Sequence, residues 1–180
     1  MTLEEMKTKV YALIEEYNEN AEELTDDEDL ATKMNGVINQ IQNELARYKK
    51  IEAYATVEGE KGDIVNFKDI DSSFYQLNIV RGVDCEIIGQ RIKFNKKGTA
   101  EVYYYKYPAQ IDIDSDDDVE LEISTDVLEI MPYGVAADLL KSDVSSNYGQ
   151  IYAQRYIEML NALDPRYSMG SVYIDGGMEV

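Results

Sequence analysis

The spacing of apolar residues changes twice along this chain, and this change constrains its fold more than any other feature. In residues 1–52 and 113–163, apolar residues recur at steps of three and four, which is the spacing of amphipathic helices. In residues 53–112, β-branched and aromatic residues lie between clusters of Gly, Asp and Ser, which is typical of strands. The sequence therefore predicts an α+β fold: N- and C-terminal helices form a bundle, and a small antiparallel β-sheet or sandwich is inserted between them.

Two helices are predicted before the insert. Thr2 with Glu5, and Thr25 with Glu28, have the spacing of capping boxes. An apolar stripe follows each box, and a linker rich in Glu and Asp joins the helices, so we expect an antiparallel pair. The two stripes comprise Leu3, Met6, Val10, Leu13 and Tyr17, and Leu30, Met34, Val37, Ile41, Leu45 and Tyr48.

Turn residues divide the insert into about four to six strands. Gly89-Gln90 lies between two strand patterns and predicts a hairpin with a type II′ turn. A second turn ends at Gly98, which we expect to adopt a positive φ. A long strand from Thr99 to Tyr107 follows.

Two more helices and a tail are predicted after the insert. Pro132 fits the first turn of a helix that runs to about Lys141. Asn147 with Gln150 fits the cap of a last helix, which we expect to pack on the second helix of the chain. Residues 164–180 are Gly-rich and too short for a core of their own. The apolar sides of the two helices comprise Val135, Ala136, Leu139 and Leu140, and Tyr148, Ile151, Tyr152, Tyr156, Met159, Leu160 and Leu163.

Composition excludes several classes of enzyme. The chain has no histidine and Cys85 is its single cysteine, so Ser-His-Asp hydrolases, Cys-His hydrolases and His-rich metalloenzymes are ruled out. An intrachain disulfide and a Cys-rich zinc site are ruled out as well. Cys85 itself fits a strand as a small buried hydrophobe. Composition therefore favours a protein that binds or assembles over an enzyme.

The chain is strongly acidic, and its charge is unevenly distributed. It has 36 acidic and 17 basic residues, giving a formal net charge of -19. Residues 1–32 carry 11 acids and 2 bases, and residues 108–180 carry 15 acids and 3 bases, whereas residues 33–107 are nearly neutral. Such a field repels DNA, RNA and anionic lipid. No apolar run approaches the ~20 residues of a membrane span, and the first residues are acidic where a secretory signal is basic. We therefore expect a soluble intracellular protein without membrane contact.

A run of acidic residues after the insert suggests a cation site. Asp112, Asp114 and Asp116 have the one-three-five spacing of an EF-hand loop. However, the sixth position, which requires Gly, is Asp117, and the twelfth, which requires Glu, is Ile123. An EF-hand, a looser cation site and a solvated loop are the three interpretations, and the solvated loop is favoured.

The strand sequence VYYYKY provides a candidate interface. Strand alternation places Tyr103, Tyr105 and Tyr107 on one face. Such a row can stack on bases or sugars, but tyrosine-rich strands more often form a core or a protein interface. We therefore interpret these three tyrosines as interface or core residues.

A basic hairpin tip is the second candidate interface. Lys96 and Lys97, together with Lys93, stand out in an otherwise acidic chain. One interpretation is a solvated turn. The alternative is a contact with an acidic partner surface, such as an acidic flank of a neighbouring copy.

The order of these elements resembles a known family. From about Leu30 to Leu163, the chain is similar to the head–tail connector and adaptor proteins of tailed bacteriophages, including the tubular tail proteins of short-tailed phages. Those proteins have N-terminal helices, a small β domain and C-terminal helices that pack back on the first ones. The stretches that carry the resemblance are TDVLEIMPYGVAADLLKSDVSS, YAQRYIEMLNAL, DSSFYQLNIVRG, IIGQRIKF and YKYP.

The resemblance implies a non-enzymatic structural protein of a phage or prophage virion, without a cofactor. Such proteins form a ring, typically twelve-fold, between the portal protein and the tail or neck protein, and DNA passes through without specific binding. The chain would lie in the virion and, during assembly, in the cytoplasm of the bacterial host. We expect its tail to order against a neighbouring copy, so an isolated monomer is compatible with this role. The tail residues with this interface role are Met169, Val172, Tyr173 and Ile174.

Two other classes of protein stay open. A β-domain binding module for carbohydrate or peptide would use the tyrosine strand, and needs polar groups that converge on an exposed aromatic row. A hydrolase that uses carboxylates alone needs two acids that converge in one deep cleft. Within the binding class, an acidic DNA mimic would carry carboxylates at phosphate-like spacing on one face.

Overall fold

The computed structural model describes four stretches of the chain, residues 1–15, 28–112, 115–141 and 147–163. In these stretches the chain has the predicted α+β fold, with helices before and after small antiparallel sheets in the sequence. Several predictions fall outside the described residues. They concern Tyr17 of the first apolar stripe, the cap at Thr25, Asp114 of the acidic run, and the tail of residues 164–180 with Met169, Val172, Tyr173 and Ile174.

Helix α1 (Leu3–Glu15) begins at the predicted capping box. The backbone N–H of Thr2 donates to Glu5 Oε2 at 3.0 Å, and the backbone N–H of Glu5 donates to Thr2 Oγ1 at 3.2 Å. These bonds satisfy amide groups that have no partner within the helix, so the box determines where α1 begins. Helix α2 (Glu28–Tyr48) is the second predicted helix, and most of its described apolar stripe is buried, although Tyr48 is exposed.

The insert contains six strands and one short helix, namely β1 (Ile51–Gly59), β2 (Ile64–Asn66), α3 (Phe67–Ile70), β3 (Phe74–Arg81), β4 (Cys85–Ile88), β5 (Arg91–Phe94) and β6 (Gly98–Lys106). The strands form two antiparallel three-stranded sheets, ordered β1-β6-β3 and β2-β5-β4. The inner faces of both sheets enclose one core together with α3, so the insert is a small sandwich. Its buried side chains are Phe67, Phe74, Ile92, Phe94, Ala100, Val102 and Tyr104.

Two glycines of the sandwich serve different purposes. Gly89 has a φ of 61° in the β4–β5 hairpin, whereas Gln90 has no positive φ, as the predicted type II′ turn requires. The predicted positive φ of Gly98 is wrong. Gly98 instead begins β6, where a Cβ atom would lie 2.8 Å from Val83 Cγ2, so the close approach of this side chain explains the glycine.

After the sandwich, the described residues form three helices, namely α4 (Thr125–Leu128), α5 (Met131–Leu140) and α6 (Tyr148–Ala162). Pro132 lies in the first turn of α5, as predicted. Helix α5 is buried over most of its length and packs against α1, α2 and α6. At Gly134, a Cβ atom would lie 2.9 Å from the ring of Tyr156, so this glycine lets α6 approach α5 closely.

The central position of α5 corrects two predictions. Helices α1 and α2 do not form a simple antiparallel pair, because each packs mainly on α5. Helix α6 also contacts α5 more extensively than it contacts α2. Its Tyr156 nevertheless lies in one core with Met34 and Leu45 of α2, as predicted. Two details of α6 differ as well, because the Asn147 side chain makes no capping bond and Ile151 is exposed.

The connecting segment, residues 107–124, packs on the helices in its described part. Ile111 and Ile123 are buried in the helical core. The backbone N–H of Leu3 donates to the carbonyl of Val119 at 2.9 Å, so the segment also covers the start of α1. The helical part of the molecule therefore consists of the helices before the sandwich, the helices after it, and this segment.

Amide side chains of α2 hold the connecting segment in place. Asn39 Nδ2 donates to the Ile111 carbonyl, and Asn39 Oδ1 accepts from the Ile111 N–H, both at 2.8 Å. Gln42 Nε2 donates to the Ala109 carbonyl at 2.9 Å, and Asn35 donates to a third carbonyl of the segment. These bonds satisfy backbone groups in the way that a neighbouring strand otherwise would.

Replacing Asn39 would leave both polar groups of the Ile111 backbone without this partner. Because an unsatisfied buried group costs about 1–3 kcal/mol, we expect Asn39→Ala to lower the free energy of unfolding by about 2–4 kcal/mol in urea denaturation. Asn43→Ala is the matched control, because Asn43 lies one helical turn after Asn39 on α2. Asn43 only accepts an exposed hydrogen bond of 3.4 Å from the side chain of Gln110. We expect this control to change stability by less than about 0.5 kcal/mol. Equal losses in both variants would contradict the role assigned to Asn39.

Candidate functional site

The outer side of the β1-β6-β3 sheet carries an exposed aromatic surface, the tyrosine face, which consists of Tyr54, Ile79, Tyr103 and Tyr105. Strand register builds it, because Tyr103 on β6 lies opposite both Tyr54 on β1 and Ile79 on β3. Tyr105 continues the face two residues along β6. Tyr54 is 52% exposed and Ile79 is 40% exposed, whereas Tyr103 and Tyr105 are half-buried. The face is therefore open to a partner mainly at Tyr54 and Ile79.

Two cations lie against the rings of the tyrosine face. Lys50 Nζ is 4.6 Å from the ring centroid of Tyr105, and it also donates to Gln76 Oε1 at 3.0 Å. Arg81 Cζ is 5.7 Å from the ring centroid of Tyr103. Cation–π contacts at exposed sites contribute about 0.5–1 kcal/mol each, so these pairs help to fix the rings. Tyr and Arg are also enriched where protein interfaces are most tightly packed.

Tyr107 lies at the junction between β6 and α2. Its ring packs against Tyr75, with ring centroids 4.9 Å apart. Arg47 of α2 donates to the Tyr107 hydroxyl at 3.3 Å, and Arg47 Cζ is 5.8 Å from the ring centroid. Of the three tyrosines proposed as interface residues, Tyr103 and Tyr105 therefore belong to the tyrosine face, and Tyr107 joins the sandwich to the helices.

Tyr104 points to the inner side of the same sheet and has a structural role. Its hydroxyl donates to Asp71 Oδ2 at 2.8 Å, and Asp71 Oδ1 accepts from the backbone N–H of Ser73 at 2.8 Å. Burial, together with the hydrogen bond to Asp71, raises the pKa of Tyr104 to about 12. Burial alone would raise the pKa of Asp71, but the bonds from Ser73 and Tyr104 hold it below its usual value.

The basic hairpin tip is balanced by acidic neighbours within the sandwich. Lys97 forms an ion pair with Glu60, and Lys96 Nζ lies 3.7 Å from Asp84 Oδ2. Both pairs are exposed to solvent and contribute little to stability. Lys97 is six residues from Tyr103, a distance of about 20 Å along a strand. The structure therefore does not bring the predicted lysines and tyrosines into one site.

The described part of the acidic run packs against α1. Lys7 Nζ is 2.8 Å from Asp117 Oδ1, and the backbone N–H of Glu4 donates to the Asp117 carbonyl at 2.9 Å. Asp114, the middle residue of the EF-hand spacing, lies outside the described residues. Among the residues that the structure does describe, no group of three or more His, Cys, Asp or Glu side chains could hold a metal ion.

A polar crevice of about 420 Å³ lies between the sandwich and the helical part, and sequence reasoning missed it. Asp71, Lys106 and Glu122 are among its lining residues. Lys106 Nζ donates to Glu122 Oε2 at 2.9 Å, and Glu122 Oε2 also accepts from the backbone N–H of Ala109. Hydrogen-bond donors therefore hold the carboxylates of both Asp71 and Glu122 at the wall of this crevice.

Sequence reasoning also missed Tyr54, Ile79 and the two stacked cations. Every second residue of β1 faces outwards, so strand alternation was a usable signal for Tyr54. Ile79 reaches its position opposite Tyr103 only after two irregularities in the β3 register, which no short-range pattern predicts.

No protein-family model matches this chain, and no curated protein matches its sequence. In the stretches that the structure describes, no helix has the length and apolar character needed to cross a membrane. The function therefore has to be inferred from the tyrosine face and from the distribution of charge.

The raised pKa of Tyr104 predicts a loss of stability at alkaline pH. The folded state holds this proton more tightly than the unfolded chain, so the stabilisation is complete below about pH 10 and is lost as the pH rises toward about 12. We expect Tyr104→Phe to lower the free energy of unfolding by about 1 kcal/mol at neutral pH, and by less at high pH. Urea denaturation across this pH range measures the difference from the wild type. Tyr105→Phe is the control, and a Tyr104→Phe difference that stays constant with pH would contradict the argument.

Proposed function

We propose that this chain is a non-enzymatic structural protein of a bacteriophage virion, namely a head–tail connector or adaptor. In this role, copies form a ring between the portal protein and the tail or neck protein, and DNA passes through the ring without specific binding. The resemblance to connector proteins, which covers both the helices and the sandwich, supports this role. The protein would lie in the virion after assembly in the host cytoplasm.

The observation that carries this proposal is the tyrosine face. The inner side of the same sheet already packs on a core, so folding does not account for the apolar side chains on its outer side. Aromatic rings with Lys50 and Arg81 stacked on them have the composition of a protein interface. Every copy in a ring needs such a contact surface.

The distribution of charge supports the passage of DNA. Residues 51–106, which form the sandwich, have 9 acidic and 8 basic residues, so they contribute a net charge of only -1 to the total of -19. The helical part and the tail therefore carry almost all of the excess negative charge. A channel wall formed by acidic surface repels the DNA backbone weakly and keeps it from binding.

A binding module for carbohydrate or peptide is the second candidate, because it would also use the tyrosine face. Stacking on a sugar requires a free ring surface. Lys50 and Arg81 already lie against the rings of Tyr105 and Tyr103, which leaves less ring surface for a sugar. This arrangement favours a protein partner over a carbohydrate.

Binding to the portal protein of the same phage or prophage tests the proposed function. We expect the full-length protein to co-purify with the portal and to appear as a ring on it by electron microscopy. Salt screens the repulsion between copies, since the Debye length falls from about 10 Å at 0.1 M to about 3 Å at 1 M, so ring formation should tolerate or increase with salt. Duplex DNA should bind only weakly at physiological salt.

Lys96→Glu combined with Lys97→Glu is the control for this experiment. Because both lysines are paired within the sandwich, the ring should persist in this variant. If the variant abolishes the ring, or if high salt dissolves it, the contact between copies lies at the hairpin tip instead. A protein that is missing from purified virions, does not bind the portal and turns over a glycan or nucleotide would overturn the proposed function.

A further inference from the structure

Strand β1 forms an open edge of the β1-β6-β3 sheet. Among the described residues, its backbone bonds only to β6. Alternate residues of an edge strand point their N–H and C=O groups away from the sheet, so about four residues of β1 present unpaired groups. Its inner-face residues Ala53, Ala55 and Val57 are half-buried, whereas the β6 residues opposite them are buried. The edge is therefore uncovered on its side chains as well as on its backbone.

The other three edges of the sandwich are protected against pairing, and β1 is not. Proteins protect edge strands by keeping them short, by irregularities in register, or with Lys and Pro. Strands β2 and β4 have only three and four residues, and β3 has two irregularities in its pairing with β6. Strand β1 pairs with β6 over all nine of its residues without an irregularity, and contains neither Lys nor Pro. It is therefore the edge that a further strand can extend most readily.

Strand β1 is itself a suitable partner for this edge. When a strand pairs antiparallel with its own copy about a two-fold axis, residues of one face meet residues of the same face. If Tyr54 lies on the axis, residues 51–57 of the two copies pair with each other. The opposed pairs are Ile51 with Val57, Glu52 with Thr56, Ala53 with Ala55, and Tyr54 with its own copy. Apolar residues thus meet apolar residues on the inner face.

Charge selects this register over its neighbours. An axis at Ala55 would pair all nine residues, but it would set Glu52 opposite Glu58 at both ends. Like charges directly opposite each other destabilise a sheet. An axis at Thr56 would set Tyr54 opposite Glu58 and lose the aromatic pair. The axis at Tyr54 opposes no two acidic residues of β1.

The same register extends a row of aromatic rings. Tyr54 already packs on Tyr103, with ring centroids 4.9 Å apart, and its other side lies at the open edge. Pairing at Tyr54 sets the two Tyr54 side chains beside each other, and cross-strand aromatic pairs stabilise a sheet. The sandwich is also nearly neutral, since residues 51–106 carry 9 acidic and 8 basic residues, so two sandwiches meet with little net charge.

We propose that β1 of one copy pairs antiparallel with β1 of a second copy about a two-fold axis at Tyr54. The two three-stranded sheets then form one sheet of six strands, and the two tyrosine faces become one continuous surface. This inference goes beyond the proposed function, because an isologous contact closes with two copies and cannot by itself build a ring. The charge of -19 on each copy opposes association, so the dimer is favoured by high protein concentration and by salt.

Disulfide trapping tests the pairing in the full-length chain. All variants also carry Cys85→Ala, which removes the native thiol. With Tyr54→Cys, the two introduced residues lie directly opposite each other, where Cβ atoms are about 4.5–5.5 Å apart. Glu58→Cys is the matched control on the same face of the same strand, and its two thiols would lie about 27 Å apart. After oxidation with copper phenanthroline in about 1 M salt, we expect several times more covalent dimer from Tyr54→Cys.

A second trapping experiment checks the register. A mixture of Glu52→Cys chains with Thr56→Cys chains should give a dimer with one chain of each kind, because these positions are opposed when Tyr54 lies on the axis. A mixture of Glu52→Cys with Glu58→Cys chains should give far less mixed dimer, since these positions are opposed only when Ala55 lies on the axis.

Sedimentation velocity tests the contact without oxidation. The dimer of the wild type should increase with protein concentration, and between about 0.1 M and 1 M salt. Tyr54→Lys should abolish the dimer, because it sets two cations opposite each other on the axis. Ile64→Lys is the control, since Ile64 is also about half exposed but lies on β2, and its dimer should persist.

The results that overturn this inference are separate from those that concern the portal. If the wild type stays monomeric at every concentration and salt, or if Tyr54→Cys gives no more dimer than Glu58→Cys, the pairing is wrong even when rings form on the portal. A mixed dimer that prefers Glu52→Cys with Glu58→Cys would overturn the register. If Tyr54→Lys and Ile64→Lys have the same effect, the contact does not lie at β1.

Discussion

The burial of α5 is the constraint on which the helical part depends. This helix is apolar on nearly every side, so no face of it can be left in water without a loss of hydrophobic stabilisation. Helices α1, α2 and α6 cover it, and Gly134 allows the ring of Tyr156 to approach its backbone. Burial raises the pKa of Tyr156, and the nearby Glu44 raises it further. Ionisation of this phenol at alkaline pH therefore destabilises the helical core, as ionisation of Tyr104 destabilises the sandwich.

The position of the sandwich relative to α5 depends on polar contacts at the two places where the chain passes between the helical part and the sandwich. At the first place, where α2 leads into β1, Lys50 lies against the ring of Tyr105 and Arg47 donates a hydrogen bond to the hydroxyl of Tyr107. At the second, where β6 leads into the connecting segment, Lys106 pairs with Glu122. Apolar packing alone would hold each part together, since each has its own core. These polar contacts fix one part on the other, whereas the amide bonds of Asn39 hold the connecting segment within the helical part.

Periodicity in the sequence predicted the helices, the hairpin and the class of the fold, because each depends on local spacing. It did not predict the central role of α5, since a helix that is apolar all round has no stripe that points to one partner. The short elements β2 and α3 (Ile64–Asn66 and Phe67–Ile70) also lacked a signal, because they contain too few residues to show a period. For the tyrosine face, alternation along β6 placed Tyr103 and Tyr105 together. Alternation along β1 also turns Tyr54 outwards, but its place beside Tyr103, and that of Ile79, depend on register between strands, which local sequence does not encode.

The sandwich is nearly neutral, whereas the rest of the chain carries almost all of the net negative charge. This distribution affects how copies of such an acidic chain can assemble. Charges that stay farther apart than the Debye length of about 8 Å at physiological salt repel each other only weakly. If copies meet through the sandwich, the contact brings little net charge together, because residues 51–106 carry 9 acidic and 8 basic residues. Under the proposed function, the remaining repulsion would keep free copies dispersed, whereas copies already held side by side on a portal would lose less entropy when they meet. Weak self-association in solution and a stable ring on a template would then both follow, under the proposed function, from one distribution of charge.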